Sequence, residues 1–281
     1  MRIINTLEIE KAVEKLFIEA NYTLPQSLCE CINDAKNYEN SAVAKSILEK
    51  LEENIIAASE TNVPICQDTG MAVLFAEIGE EVSLSGKSFE QAVNDGVKNA
   101  YINGYLRKSV VRDPLFGRVN TDDNTPSIIH TRIVKGDKIK LTAAPKGFGS
   151  ENMSAVKMFT PSATPDDIVD FVVDTVKKAG GNPCPPIVVG VGIGGNFEYC
   201  AYLSKRALTR DVNVRNGDDN YAKLEGEMLS RINELDIGPQ GFGGKTTALA
   251  VNIETYPTHI AGLPCAVNIG CHVTRHASCI I

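Results

Sequence analysis

Residues 186–195 read PIVVGVGIGG, an apolar run that ends in closely spaced glycines. A run of Ile and Val without polar alternation is typical of a strand buried on both faces. The segment that follows, NFEYCAYLSKRAL (196–208), has the pattern of a helix. We therefore predict a buried strand that runs into a glycine turn and then into a helix, within a mixed α/β region.

The segments on either side of this unit continue the mixed pattern. TPDDIVDFVVDTVKKAGG (164–181) predicts a helix with Thr164 as N-cap, Pro165 at its first position and a double glycine at its end. Residues 220–235 predict a further helix, and TTALAVNIE and CAVNIG predict strands. Upstream, SIIHTRIVKGDKIKLTAA (127–144) predicts a hairpin of two strands joined by a Lys-Gly-Asp turn.

The first 60 residues are predicted to be helical. SAVAKSILEKLEENIIAAS and EIEKAVEKLFIEA carry apolar residues at steps of three and four. Ser88 and Gln91 form a capping-box pattern that starts another helix, and MAVLFAEIG predicts a short strand. The fold class is therefore mixed α/β (α+β), a helical N-terminal region followed by small sheets packed with helices. We expect a single domain over 1–281, or two lobes at about 1–125 (mainly helical) and about 126–281 (mixed α/β).

Composition excludes several classes of protein. Hydrophobic residues make up 43% and charged residues 22% of the 281 residues, as in a globular chain. The net charge is −7 and no Lys/Arg stripe is present, so nucleic acid is not an expected partner. No signal peptide or membrane-spanning window is visible, so we expect no membrane partner and a cytoplasmic location.

Of the eight cysteines, six stand in two kinds of surroundings. Thiols in the cytoplasm are reduced, which leaves metal binding or core packing as their roles. Those in apparent helices favour packing: Cys29, Cys31 and Cys200. Those at glycine or proline turns are Cys66, Cys184 and Cys271. Three thiolates from separate turns could hold an iron–sulfur cluster with one iron free of protein ligands, but their long spacing also leaves zinc or simply buried thiols open.

Three glycine motifs are candidate ligand sites. GVGIGG (190–195) matches G-x-G-x-x-G, but the acidic residue expected about 20 residues later is missing, so nicotinamide binding is a minor alternative. GPQGFGGKTT (238–247) fails as a P-loop because Pro239 stands where glycine is needed. KGFGSEN (146–152) predicts a turn that enters a helix, whose N–H groups could face an anion. Together the three glycine motifs predict turns whose backbone, without side chains, lies close to a bound ligand such as a compact carboxylate or an inorganic cluster.

A set of motifs in a fixed order carries a resemblance to a known family. The motifs are PICQDTG (64–70), LRKS (106–109), KGFGSEN, NPCPP (182–186), GVGIGG, GPQGFGGKT, PTHIAGLPCAVNIGC (257–271) and the final Arg and His-Ala turns. Together they resemble the class I, iron–sulfur dependent fumarate hydratases and L-tartrate dehydratases. The resemblance runs from about residue 10 to the end and is to the alpha subunit of the two-subunit form.

The resemblance implies a cofactor and its ligands. A [4Fe-4S] cluster would be held by Cys66, Cys184 and Cys271, with one iron not ligated by protein and open to substrate. That iron would act as a Lewis acid. The cluster site would lie where the three turns converge.

The resemblance also implies residues that contact a small dicarboxylate. Gln67 and Asp68 would reach the substrate, Arg107 would pair with a carboxylate, Gly149 would offer its backbone, and His259 would hydrogen-bond near the substrate hydroxyl. Asp68 and His259 are the predicted catalytic residues. Without the resemblance, a buried core histidine would be the expected role of His259.

The implied reaction is reversible hydration of fumarate to L-malate, with a base on a separate beta subunit. The chain is thus expected to be active only with that subunit and to form a homodimer through the alpha subunit. Dehydration of L-tartrate to oxaloacetate is the alternative within the family. An alternative of another class is a non-catalytic structural subunit with buried cysteines or zinc.

Overall fold

The computed structural model describes residues 1–281. The helices are α1 (Thr6–Tyr22), α2 (Gln26–Tyr38), α3 (Ala42–Thr61), α4 (Phe89–Asn103), α5 (Phe148–Glu151), α6 (Pro165–Ala179), α7 (Phe197–Ala207) and α8 (Asp219–Asn233). The strands are β1 (Arg2–Asn5), β2 (Val73–Gly79), β3 (Val82–Ser85), β4 (Ile128–Val134), β5 (Ile139–Ala143), β6 (Ala155–Phe159), β7 (Ile187–Gly195), β8 (Ala248–Thr258), β9 (Leu263–Gly270) and β10 (Ala277–Ile280). The predicted mixed α/β class is confirmed.

The chain forms two compact units, each assembled from separate segments. The first unit comprises Met1–Leu24, Ala57–Phe148 and Arg275–Ile281. The second comprises Pro25–Ile56 and Gly149–Thr274. The predicted single domain and the predicted continuous lobes stay predictions. No helix combines the length and the apolar character that crossing a bilayer requires.

The first unit is built on a four-stranded sheet with the order β10–β5–β2–β4. The predicted strand β2 is confirmed, and it pairs parallel with β4 and antiparallel with β5. The predicted hairpin is wrong, because β2 lies between its two strands. Residues Val73–Ala76 are buried, and a central position gives this apolar strand hydrogen-bonding partners on both edges.

Helices α1 and α4 pack together in the same unit and share its core. The apolar faces of both helices and the sheet contribute to one buried cluster, which includes Phe17 and Tyr101. A Cβ at Gly96 of α4 would lie 2.5 Å from the carbonyl oxygen of Glu10 in α1, so the glycine lets the helix backbones approach. Strand β1 was not predicted; it pairs in parallel with β3 in a separate small sheet.

The second unit is built on a sheet with the order β6–β9–β7–β8. The predicted buried strand is confirmed as β7, but it continues to Gly195, so the glycines lie in the strand itself. A Cβ at Gly190 would lie 2.0 Å from the Ser204 oxygen, and one at Gly192 would lie 2.1 Å from the Cys200 oxygen, both in α7. The glycines thus let α7 pack directly on β7, and this packing accounts for Gly190 and Gly192 without a bound nucleotide.

The helix starts predicted from capping patterns are confirmed. Thr164 and Asp167 form a complete capping box with Pro165 at the start of α6. The Ser88 hydroxyl accepts the Gln91 N–H at the start of α4. Local side-chain chemistry therefore determines where these two helices begin.

Candidate active site

The PICQDTG turn of the first unit is held by backbone contacts on both sides of Cys66. The Ile65 N–H donates to the Asn21 oxygen at 3.0 Å. The buried Tyr101 hydroxyl lies 2.8 Å from the Gly70 oxygen and 3.0 Å from the Thr69 oxygen. Burial raises the pKa of Tyr101, so this hydroxyl keeps its proton and remains a donor.

The same turn is joined to the segment that carries Arg107. The Thr69 hydroxyl donates to the Arg107 carbonyl at 3.1 Å. Cys66 is half-buried, whereas the Gln67 and Arg107 side chains are exposed. The structure therefore brings the predicted Gln67 and Arg107 to neighbouring backbone segments, with both side chains accessible to a ligand.

The Asp68 carboxylate organises two turns. Its Oδ1 accepts the Gly70 N–H at 3.0 Å, and its Oδ2 accepts the Phe148 N–H at 2.9 Å. A Cβ at Gly147 would lie 3.0 Å from Oδ2, so the glycine leaves room for this carboxylate. The sequence predicts that N–H groups of the KGFG turn could face an anion. In the structure, the Phe148 N–H of this turn faces the carboxylate of Asp68. Each carboxylate oxygen retains a second lone pair that can accept from a ligand.

Arg275 lies beside this turn, and sequence reasoning gave it no role. Its Nη2 donates to the Asp68 carbonyl oxygen, and its side chain is only 5% exposed. Its Nε and Nη1 have no hydrogen-bond partner, and no carboxylate pairs with it. A buried guanidinium with spare donors is an electropositive feature suited to an anion nearby. The sequence showed only an arginine in a terminal motif.

Cys184 occupies an exposed turn of the second unit. Its φ is 55°, in the left-handed region, and its N–H donates to the Gly181 oxygen at 3.1 Å. Gly149 borders the same turn, since a Cβ there would lie 3.6 Å from the Asn182 oxygen. The predicted backbone contact of Gly149 is therefore next to the predicted ligand Cys184.

The Cys271 segment contacts the Cys184 segment directly through His272. The His272 N–H donates to the Cys184 carbonyl oxygen at 3.3 Å, and its Nδ1 lies 3.0 Å from the same oxygen. The Thr274 hydroxyl donates to the Cys271 oxygen at 2.7 Å. The segments that carry two of the three predicted ligands, separated by most of the second unit in sequence, therefore meet.

His259 lies in the exposed turn between β8 and β9. Its Nδ1 accepts the Ala261 N–H at 3.1 Å, so the neutral ring carries its hydrogen on Nε2. The buried core role expected without the family resemblance is wrong, because the chain turns back at this point with the ring outside the sheet. No hydrogen bond joins His259 to Cys184 or Cys271.

The predicted ligands are divided between the two units. Cys66 belongs to the first unit, and Cys184 and Cys271 belong to the second. Neither unit by itself holds three or more His, Cys, Asp or Glu side chains arranged for a single metal ion. The structure contains no disulfide. The grouping of all three thiols around one cluster stays a prediction.

Comparison with protein families decides the class of the chain. The family model described as Fumarate hydratase (Fumerase) matches residues 10–280. The chain belongs to the Fumerase family. The resemblance inferred from the ordered motifs is therefore confirmed, and membership of this hydro-lyase family identifies the chain as a lyase.

Fumerase-family relatives match over nearly the whole chain. A protein of Methanocaldococcus jannaschii named "Putative L(+)-tartrate dehydratase subunit alpha" is 42% identical, over 96% of both chains. "L(+)-tartrate dehydratase subunit alpha" of Escherichia coli O157:H7 is 30% identical, over 97% of this chain and 92% of that protein. The protein of the same name from Escherichia coli strain K12 has the same identity and coverage. The match to the Fumerase family and its relatives therefore extends over both compact units.

Proposed function

We propose that the chain is the alpha subunit of an iron–sulfur hydro-lyase that reversibly hydrates fumarate to L-malate. The observation that carries the proposal is the pair of His272 contacts with the Cys184 oxygen, which joins two cysteine turns that are remote in sequence. Membership of the Fumerase family supports it.

The donor set fits an iron–sulfur cluster. Cys66, Cys184 and Cys271 would hold it; Cys184 is exposed and the other two are half-buried. Thiolates are the ligands that such clusters take, and no disulfide competes for them. When bound, the [4Fe-4S] cluster supplies an iron without a protein ligand, which is a Lewis acid for the substrate hydroxyl and carboxylate.

Side chains of the first unit, together with the Gly149 backbone of the second, suit a dicarboxylate substrate. The exposed Arg107 guanidinium offers a two-pronged donor for one carboxylate, and the neighbouring Gln67 amide can donate to it as well. The buried charge of Arg275 raises the local positive potential at the same turn. Gly149, exposed and without a Cβ, can present its backbone to the ligand.

Asp68 and His259 are the proposed catalytic residues of this chain. Asp68 is fixed by two backbone N–H groups, so its free lone pairs point in defined directions toward a substrate proton. His259 has its hydrogen on Nε2 and can donate to the substrate hydroxyl oxygen. The base that removes the carbon-bound proton is proposed to lie on the beta subunit.

The partner follows from the same proposal. The relatives named above are called alpha subunits, which supports a beta subunit that completes the active site. The exposed positions of Gln67, Arg107, Gly149 and His259 leave them accessible to substrate and to that subunit. Homodimerisation through the alpha subunit is part of the proposal.

The test is anaerobic co-expression with the adjacent small subunit. We expect about four irons per alpha chain and conversion of fumarate to L-malate by the complex but not by the alpha chain alone. A colourless complex that remains inactive after reconstitution with iron and sulfide would overturn the proposal in favour of a structural or zinc-bearing subunit.

L-tartrate is the second candidate substrate, and the names of the relatives favour it. The two substrates differ in the hydroxyl groups that polar residues must accommodate. The ratio of kcat/KM for L-malate and for L-tartrate, measured on the same complex, decides between them. A ratio below one would assign tartrate dehydratase activity.

A further inference from the structure

The loop GPQGFGG (238–244) has no role in the proposed catalysis, yet it contacts both cysteine turns of the second unit. The Gln240 N–H donates to the Pro185 oxygen at 2.8 Å, and the Gln240 Nε2 donates to the same oxygen at 2.7 Å. Pro185 directly follows Cys184. Two donors of one residue therefore converge on the carbonyl next to a proposed cluster ligand.

The same side chain reaches the second cysteine turn. The Gln240 Nε2 lies 3.3 Å from Nδ1 of His272, the residue after Cys271. His272 in turn contacts the Cys184 oxygen through its N–H and Nδ1. A carbonyl oxygen can only accept, so the Nδ1 contact with Cys184 is a hydrogen bond only in the tautomer with hydrogen on Nδ1; in that tautomer the Gln240 Nε2 lies against the ring without a hydrogen bond to Nδ1. Gln240 thus packs against the ring that joins the two turns.

The backbone of the loop is shaped to bring Gln240 to this position. Gln240 has φ 53° and ψ 15°, a left-handed conformation that glycine adopts without strain and glutamine does not. A Cβ at Gly241 would lie 2.8 Å from the Cα of Gly181, so the loop and the Cys184 turn touch through bare backbone. The left-handed backbone at this contact directs the Gln240 side chain toward Pro185 and His272.

We propose that Gln240 is a positioning residue that holds the Cys184 and Cys271 turns in register for the cluster. The inference rests on the proposed function, because it assigns the purpose of the contact to cluster binding. Gln240 acts through the Pro185 carbonyl and the His272 ring. These contacts restrict the conformations of both turns before the cluster binds, so less conformational entropy is lost on binding. Gln240 therefore gives a role to the glycine-rich loop 238–244, whose sequence is similar to a P-loop but does not match its pattern.

The test compares Gln240→Gly with a matched control. Gln240→Gly removes the side chain and relieves the left-handed backbone. Asp122 is also left-handed, with φ 67°, is exposed, and its carboxylate makes no hydrogen bond, so Asp122→Gly reproduces the backbone change alone. Gln240→Glu is a second variant, which keeps the side-chain length but places an acceptor against the Pro185 oxygen.

Cluster retention is the first readout. In the reconstituted complex, we expect both Gln240 variants to lose cluster absorbance to an iron chelator about tenfold faster than wild type, while the melting temperature of the cluster-free chain is unchanged in Gln240→Gly. Asp122→Gly should match wild type. Wild-type rates in Gln240→Gly and Gln240→Glu would overturn the inference.

Thiol reactivity is a second readout that needs no cluster. In the cluster-free full chain, iodoacetamide should alkylate Cys184 and Cys271 at least about threefold faster in Gln240→Gly than in wild type, because the turns open more often. Unchanged rates would overturn the inference whether or not wild type binds a cluster. Failure of wild type to bind a cluster would instead overturn the proposed function.

Discussion

The N–H of His272 donates to the carbonyl oxygen of Cys184, and its ring Nδ1 lies 3.0 Å from the same oxygen. Because Cys271 immediately precedes His272, the contact brings two proposed cluster ligands to adjacent turns.

Replacing a ligand cysteine should remove the cluster. We expect Cys184→Ser and Cys271→Ser to abolish iron binding and lower kcat/KM by more than about a hundredfold, above the usual loss for residues that only support ligands. Cys29→Ser is the control, since Cys29 lies in α2 and is half-buried like Cys271. Iron content and activity of anaerobically reconstituted complexes measure the effect. Full iron content in Cys184→Ser would contradict it.

Asp68→Asn should destabilise the first unit. An amide nitrogen would face the N–H of either Gly70 or Phe148, which leaves a donor unsatisfied. We expect a loss of about 1–3 kcal/mol in the free energy of unfolding. Urea denaturation of the cluster-free chain measures it. The exposed Asp122→Asn should change stability by less than about 0.5 kcal/mol; equal effects in both variants would contradict the proposed role.

Arg275→Met should separate stability from function. Removing a buried charge without a carboxylate partner is expected to leave the cluster-free chain as stable as wild type or more stable, by about 1 kcal/mol. Loss of the positive charge beside the Asp68 turn should raise KM for the dicarboxylate about tenfold, equivalent to about 1.4 kcal/mol. Arg275→Lys keeps the charge and should restore most of the affinity. An unchanged KM in Arg275→Met would show that the charge does not act on the substrate.

Gly192→Ala should strain the contact between β7 and α7. The added Cβ would lie 2.1 Å from the Cys200 carbonyl oxygen, and backbone cannot yield easily. We expect a loss of about 1–3 kcal/mol in the free energy of unfolding. Gly226→Ala in α8 is the control, because nothing lies within 4 Å of its added Cβ, and it should stabilise by about 0.5–1 kcal/mol. Thermal or urea unfolding compares the two, and a stable Gly192→Ala would contradict the packing argument.

Stability should fall at alkaline pH because of Cys265. Burial raises the pKa of this thiol from 9.0 to about 12. The folded state therefore binds the proton more tightly than the unfolded state, so the stabilisation is complete below about pH 9 and is lost as the pH rises toward 12. Urea midpoints between pH 7 and 10.5 should show the decline. Cys265→Ala should be less stable than wild type at pH 7 but should lose less stability as the pH rises. An equal slope of stability against pH in the two proteins would contradict Cys265 as the cause.

Local chemistry in the sequence predicted much of the secondary structure. Thr164 and Ser88 start helices through their own side chains, and the apolar run of β7 forms a buried strand. The ordered motifs also identified the family. These features depend on neighbours a few residues apart, so they can be read without the fold.

Contacts between remote segments required the tertiary structure. Strand β2 inserts between β4 and β5, Arg275 reaches the Asp68 carbonyl, and Gln240 reaches Pro185. No local pattern marks these partners, because hydrogen-bonding geometry and burial arise only when distant segments pack. The helices, the buried strand and the residue types of the site can be read from local patterns, whereas strand pairing and the contacts between turns depend on long-range packing.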